Sequence, residues 1–131
     1  MCIRDSLVFG LANGSLEPPG TFWLTVVLYP LWGIAQQFAL QGLLARNLAG
    51  WLSRPIALAV VASALFAASH YPRVELVLLS GAAGVFLTLC YRQVPNLWAV
   101  GIVHGVLGSL ADYLVLGEDT GAAILRAVAG S

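Results

Sequence analysis

The stretch Trp32 to Leu48, WGIAQQFALQGLLARNL, sets three glutamines in an otherwise apolar run. Gln37 and Gln41 are four residues apart. A helix therefore carries them on one face, with Gln36 about 100° round from Gln37. Amide side chains at membrane depth are costly until they find hydrogen-bond partners. Those partners have to come from elsewhere in the chain. His70 and His104, each inside its own apolar segment, are the most suggestive candidates. The expectation is one buried polar cluster built from the glutamine-bearing helix and the two histidines.

Composition sets the solvent. Of the 131 residues, 60% are hydrophobic and 9% charged, against roughly 25% charged in soluble domains. So few charges cannot cover a soluble surface, and the chain reads as an integral membrane protein. The net charge is zero and there is no lysine, which leaves no basic patch for nucleic acid. At ~20 residues per span there is room for about four spanning helices. The predicted fold is an all-α polytopic transmembrane bundle, one domain and a piece of a larger one.

Residues 1–6, MCIRDS, look foreign. The DNA string ATGTGTATAAGAGACAG, which resembles a transposon-based sequencing adapter, translates to Met-Cys-Ile-Arg-Asp. These six are set aside as a sequencing artefact, which makes the chain N-terminally truncated. Residues 7–20 read as a helix remnant and a loop, and residues 21–131 as the transmembrane domain. Without Cys2, Cys90 stands alone in an apolar segment and no disulfide framework exists.

Helix 1 is expected from about Thr21 to Leu48, with Pro30 kinking it. Helix 2 runs from Pro55 to Tyr71, with Ala57, Ala62, Ala64 and Ala68 as a close-packing face. Helix 3 runs from Val74 to Tyr91. Helix 4 runs from Leu97 to Leu116 and holds the GxxxG pair Gly101 and Gly105. A weaker helix starts at Thr120. Arg46, Arg54 and Arg92 fall on one side of such a bundle. Arg73, Glu17, Glu75, Glu118 and Asp119 fall on the other. The positive-inside rule then puts the helix 1–2 and 3–4 loops in the cytoplasm, in a bacterial inner membrane. Gln37 lies ~13 Å from Arg46 and His104 ~12 Å from Asn96 along their helices, at matching depth. His70, ~22 Å past Pro55, does not fit that level.

Three short motifs now line up. Gln36-Gln37-Phe38-Ala39-Leu40-Gln41-Gly42 sits in the frame E-E-x-x-x-R-G. Phe66 to His70, FAASH, matches F-x-x-x-H. His104 follows NLWAVGIV on a later helix. In this order the chain resembles the CPBP family of intramembrane proteases, which includes the type II CAAX prenyl endopeptidases and the Abi-type proteins. The resemblance covers about residues 30 to 116. It implies hydrolysis of a membrane-bound or prenylated peptide, with the first glutamate and the histidines activating water on the scissile carbonyl. The matching positions here are Gln36, Gln37, Gln41, His70 and His104. Both glutamates and the arginine are glutamine, and Gly108 stands where the family carries Asn or Asp. An amide has no proton-accepting site near neutral pH, so it cannot be a general base. It can orient water or stabilise an oxyanion.

Phe66, Gly108, Asp112 and Glu75 are secondary candidates. Asp112 is a displaced acid or, more plainly, a helix-end residue facing water. Glu75 suits the helix 3 dipole. Two histidines and amides supply fewer than the three protein ligands of a catalytic zinc, so no cofactor is expected. Two other readings stand beside the protease. One is a non-catalytic relative that binds a membrane peptide or a membrane protein partner. The other is a transporter fragment in which amides and histidines line a pathway.

Overall fold

A computed structural model describes residues 20–130. The expectations for residues 1–6 and for nearly all of 7–20 lie outside the described residues. Five helices follow: α1 Phe22–Leu48, α2 Pro55–Ala68, α3 Val74–Gln93, α4 Leu97–Leu116 and α5 Thr120–Ala129. No strand occurs among the described residues. The order and boundaries follow the hydropathy breaks closely. Pro55 occupies the first turn of α2, where its missing N–H costs nothing. The Asn96 side chain accepts from Ala99 N at 3.0 Å and caps α4. Gly117 closes α4 at φ +61°, a conformation that favours glycine.

Two features depart from expectation. First, α2 ends at Ala68 rather than Tyr71. Ser69 N and Oγ bond back to Phe66 O, His70 N to Ala67 O, and Pro72 has no N–H to continue the helix. Its 14 residues reach ~21 Å, short of a ~30 Å hydrocarbon layer. Three helices, α1, α3 and α4, are long and apolar enough to cross a membrane, and α2 is a shorter apolar helix among them. Second, residues Phe38–Ala45 of α1 form π-helix. This wider coil recurs at functional sites in other proteins, and here it follows directly on Gln37.

The bundle is two helix pairs. α1 lies along α4, and α2 along α3, while the π-helical part of α1 touches both α2 and α3 and joins the pairs. Lipid-like surroundings give no hydrophobic drive between helices, so close backbone approach and hydrogen bonds hold them. Gly33, Gly101 and Gly105 bring α1 and α4 together. A Cβ on Gly101 would stand 2.5 Å from Ile34 Cγ1, and one on Gly105 2.5 Å from Pro30 N. In the other pair Gly84 faces Ser63, whose Oγ would lie 2.8 Å from an added Cβ. The alanine face of α2 is therefore shifted. Ala59, Ala62, Ser63 and Ala67 are buried, whereas Ala64 and Ala68 are exposed. Leu40, Ala45, Ala62 and Phe66 form the small apolar core at the junction. Large side chains such as Trp23, Leu31, Leu78, Phe86 and Trp98 point outward, as lipid-facing surfaces do.

One end of the bundle gathers Thr21, Arg73, Glu118 and Asp119. Arg73 pairs with Glu118 at 2.7 Å, and Thr21 Oγ1 donates to Asp119. The Asp119 carboxyl also caps α5 by accepting from Ala122 N. That backbone donor, helped by Thr21, holds it below the usual carboxylate range.

Candidate functional site

A half-open cavity of about 520 Å³ lies between the α1–α4 pair and α3. Gln36 comes to it from α1, His70 and Arg73 from the α2–α3 turn, Ser80 from α3, and His104, Gly108 and Asp112 from α4. Glu118 and Thr120 close it at the far rim, and leucines and alanines form the walls between.

Behind the cavity runs a chain of neutral hydrogen bonds. Gln41 Nε2 donates to Thr88 Oγ1 and to Gln37 Oε1, each at 3.0 Å. Gln37 Nε2 meets His104 Nδ1 at 2.8 Å. Gln37, Gln41 and Thr88 are at most 4% exposed. Three buried polar side chains and the half-buried His104 thus satisfy one another with no charge. The direction of the chain fixes the imidazole. An amide nitrogen can only donate, so Nδ1 accepts and the proton of His104 sits on Nε2. Bonds of this kind between membrane helices contribute ~0.6–1.7 kcal/mol each. Together they lock α1 to α3 and α4 at this level.

His70 reaches the same place by another route. The Phe66 ring stands edge-on to both imidazoles, with centroids 5.2 Å from His70 and 5.9 Å from His104. The depth mismatch read from helix lengths came from treating α2 as a full span. The turn after Ala68 returns His70 towards α4.

Asp112 differs from its expected place. It does not face water; it is 9% exposed and lines the cavity. Tyr29 Oη and Thr120 Oγ1 both donate to its Oδ2. A helix-end carboxylate was legible, but the returning segment Gly117–Thr120 that covers it was not. Glu75 stays exposed in the first turn of α3, where it complements the dipole. Gly108 lines the cavity beneath the Tyr29 ring, and a Cβ there would touch that ring at 3.4 Å. Tyr29, Thr88, Arg73, Glu118 and Thr120 were not singled out from sequence. A lone threonine inside the apolar α3 was the available signal for Thr88. Among the described residues no three of His, Cys, Asp and Glu gather as a metal-holding group.

The family model for type II CAAX prenyl endopeptidase, Rce1-like, matches residues 18–110. The chain belongs to this Rce1-like family. No curated protein and no solved structure matches it. The family match spans α1 to most of α4, so it contains the Gln36, His70 and His104 positions and ends just before Asp112. Within this Rce1-like stretch Gln36, His70 and His104 all line the same cavity.

Proposed function

We propose that this Rce1-like chain receives a membrane-embedded or prenylated peptide in the cavity between its helix pairs, holds a peptide carbonyl there, and hydrolyses it poorly. The observation that supports this is the Thr88–Gln41–Gln37–His104 hydrogen-bond chain; with the Gln37 amide donating to Nδ1, His104 offers the cavity an N–H and no lone pair on Nε2. Gln36, at the first-glutamate position, adds an amide. Both groups can polarise a carbonyl or steady an oxyanion. Neither can take a proton from water. Asp112 lies eight residues beyond His104, a rise of ~12 Å, too far to serve a water at the same carbonyl.

The test uses the full chain in lipid nanodiscs with a fluorescent prenylated peptide. Binding without measurable cleavage is expected, weakened by His104→Ala. Robust cleavage that survives in both His70→Ala and His104→Ala would defeat the site. Robust cleavage lost in those variants would keep the site and remove the claim of poor hydrolysis. A transport role draws less support, because α1 and α3 run unbroken and the ion pair among the described residues lies at the helix ends.

Orientation is part of the same proposal. The α1–α2 and α3–α4 connections, with Arg46, Arg54 and Arg92, face the cytoplasm. Single cysteines at Ala49 and Gln93 in a Cys90→Ala background should react with an impermeant maleimide from that side alone. Reaction from the outside at either position reverses the orientation.

A further inference from the structure

A second, much smaller cavity lies between the start of α1, the end of α4 and the returning segment Gly117–Thr120. Its volume is about 10 Å³, room for about one water-sized particle. The wall is rich in oxygen. Thr25 comes to it from α1, Ser109 and Asp112 from α4, and Glu118, Asp119 and Thr120 from the segment that covers them. We propose that this cavity binds one bare alkali cation of about sodium size, with Asp112 as its charged ligand. The site does not depend on the peptide-binding reading.

Two buried oxygens point to a ligand. Thr25 is 3% exposed, and its hydroxyl makes no hydrogen bond among the described residues. Asp112 is 9% exposed. Its Oδ2 accepts from Tyr29 and Thr120, while its Oδ1 has no partner among the described residues. A buried hydroxyl without a partner and a buried carboxylate without a counter-ion are both costly. One cation between them satisfies both. Two further oxygens suit it. Ser109 Oγ donates its proton to Val106 O, and Thr120 Oγ1 donates its proton to Asp112 Oδ2. Each keeps lone pairs that can face only a positive group or a donor. Gly121 leaves the space clear, since a Cβ there would stand 2.9 Å from Thr25 Oγ1.

Charge and size select the ion. Arg73 pairs with Glu118, and Asp119 is engaged by Thr21 and by Ala122 N. Asp112 makes no ion pair among the described residues. One open carboxylate oxygen matches a single positive charge. Calcium takes about six to eight oxygens, and magnesium keeps several waters. A space for one particle accommodates neither. A water molecule fits the volume but leaves the Asp112 charge uncompensated. Asp112, Glu118 and Thr120 also line the large cavity. The ion therefore ties α1, α4 and the returning segment together beside it.

The experiment follows thermal unfolding of the full chain in nanodiscs as sodium chloride replaces choline chloride at constant ionic strength. An ion that binds only the folded state raises stability with the logarithm of its concentration, once above its dissociation constant. The melting temperature is expected to climb by a few degrees with sodium and to stay flat with choline. Thr25→Val keeps the shape and should move the response to about ten-fold higher sodium, the worth of one polar contact to a charge. Asp112→Asn should abolish the response while leaving Tyr29 and Thr120 an oxygen to donate to. Glu75→Gln, an exposed acid outside this cavity, should respond as the wild type does. Equal melting temperatures of the wild type in sodium and choline overturn the proposal and leave water as the occupant. A sodium response that survives intact in both Asp112→Asn and Thr25→Val overturns it as well. So does a larger response to magnesium or calcium than to sodium. If Asp112→Asn fails to fold, the wild-type titration and Thr25→Val decide.

Discussion

Gln36→Glu combined with Gln37→Glu and Gln41→Arg is expected to raise peptide hydrolysis by about 10²–10⁴-fold, the usual worth of a positioned general base. Each change has its own place in the geometry. Position 36 lines the cavity and supplies the carboxylate. Positions 37 and 41 are bonded to each other at 3.0 Å, so the charge pair to restore is Glu at 37 with Arg at 41. A carboxylate at 37 can only accept, which turns the contact with His104 round. Nδ1 then carries the proton and Nε2 presents a lone pair to the cavity. Placing Glu at 37 alone would leave a buried charge unpaired, at a cost of several kcal/mol, and the protein should lose stability. Gly108→Asn is a less favourable addition than the motif suggests, because the Tyr29 ring already covers that site. Rates are to be read on a fluorogenic membrane peptide. A triple variant that folds, binds the peptide and stays at the wild-type rate would show that the missing acids are not what limits this chain.

Gly105→Ala is expected to cost about 1–3 kcal/mol, the range for forcing an extra group into a packed interface. The added carbon would meet the backbone of Tyr29 and Pro30, which cannot rotate away. α1 and α4 have to separate, and the Gln37–His104 contact stretches with them. Gly108→Ala, three residues on, is the control. Its carbon would sit at 3.4 Å from the Tyr29 ring, ordinary contact with a side chain that can adjust. Thermal unfolding of the two variants in the same detergent should therefore differ. Equal melting temperatures would mean that the α1–α4 approach is not the tight one described.

The α1 glutamines were legible because three amides in an apolar run demand partners, and a spacing of four puts two of them on one face. His104 was legible for the same reason, as a polar group in mid-span. The helix ends were marked by Pro55, Pro72, Asn96 and Gly117. What hydropathy could not show was pairing. Nothing in the linear pattern says that α1 packs on α4, since Gly33 is unremarkable until Gly101 and Gly105 meet it. Nor does it show that α2 stops short. Thr88 was not singled out on α3, and the Gln41 that meets it lies in the π-helical stretch, which the linear pattern does not show. Asp112 looked solvated because its covering segment folds back only after Gly117. The catalytic weight of the motif positions was carried by resemblance, and the neutral hydrogen-bond chain adds the physical reason why amides can stand there.

The most direct measurement of the central claim is the ring ¹⁵N spectrum of His104 in the wild-type chain, labelled at histidine and assigned with His104→Ala. Protonated and unprotonated imidazole nitrogens resonate far apart, so the tautomer can be read directly. The proton is predicted on Nε2, with Nδ1 unprotonated and accepting from Gln37, and Thr88→Val should mix the tautomers by freeing the far end of the chain. A proton on Nδ1 in the wild type would contradict the account: the glutamine chain would run the other way, and His104 would face the cavity as a base.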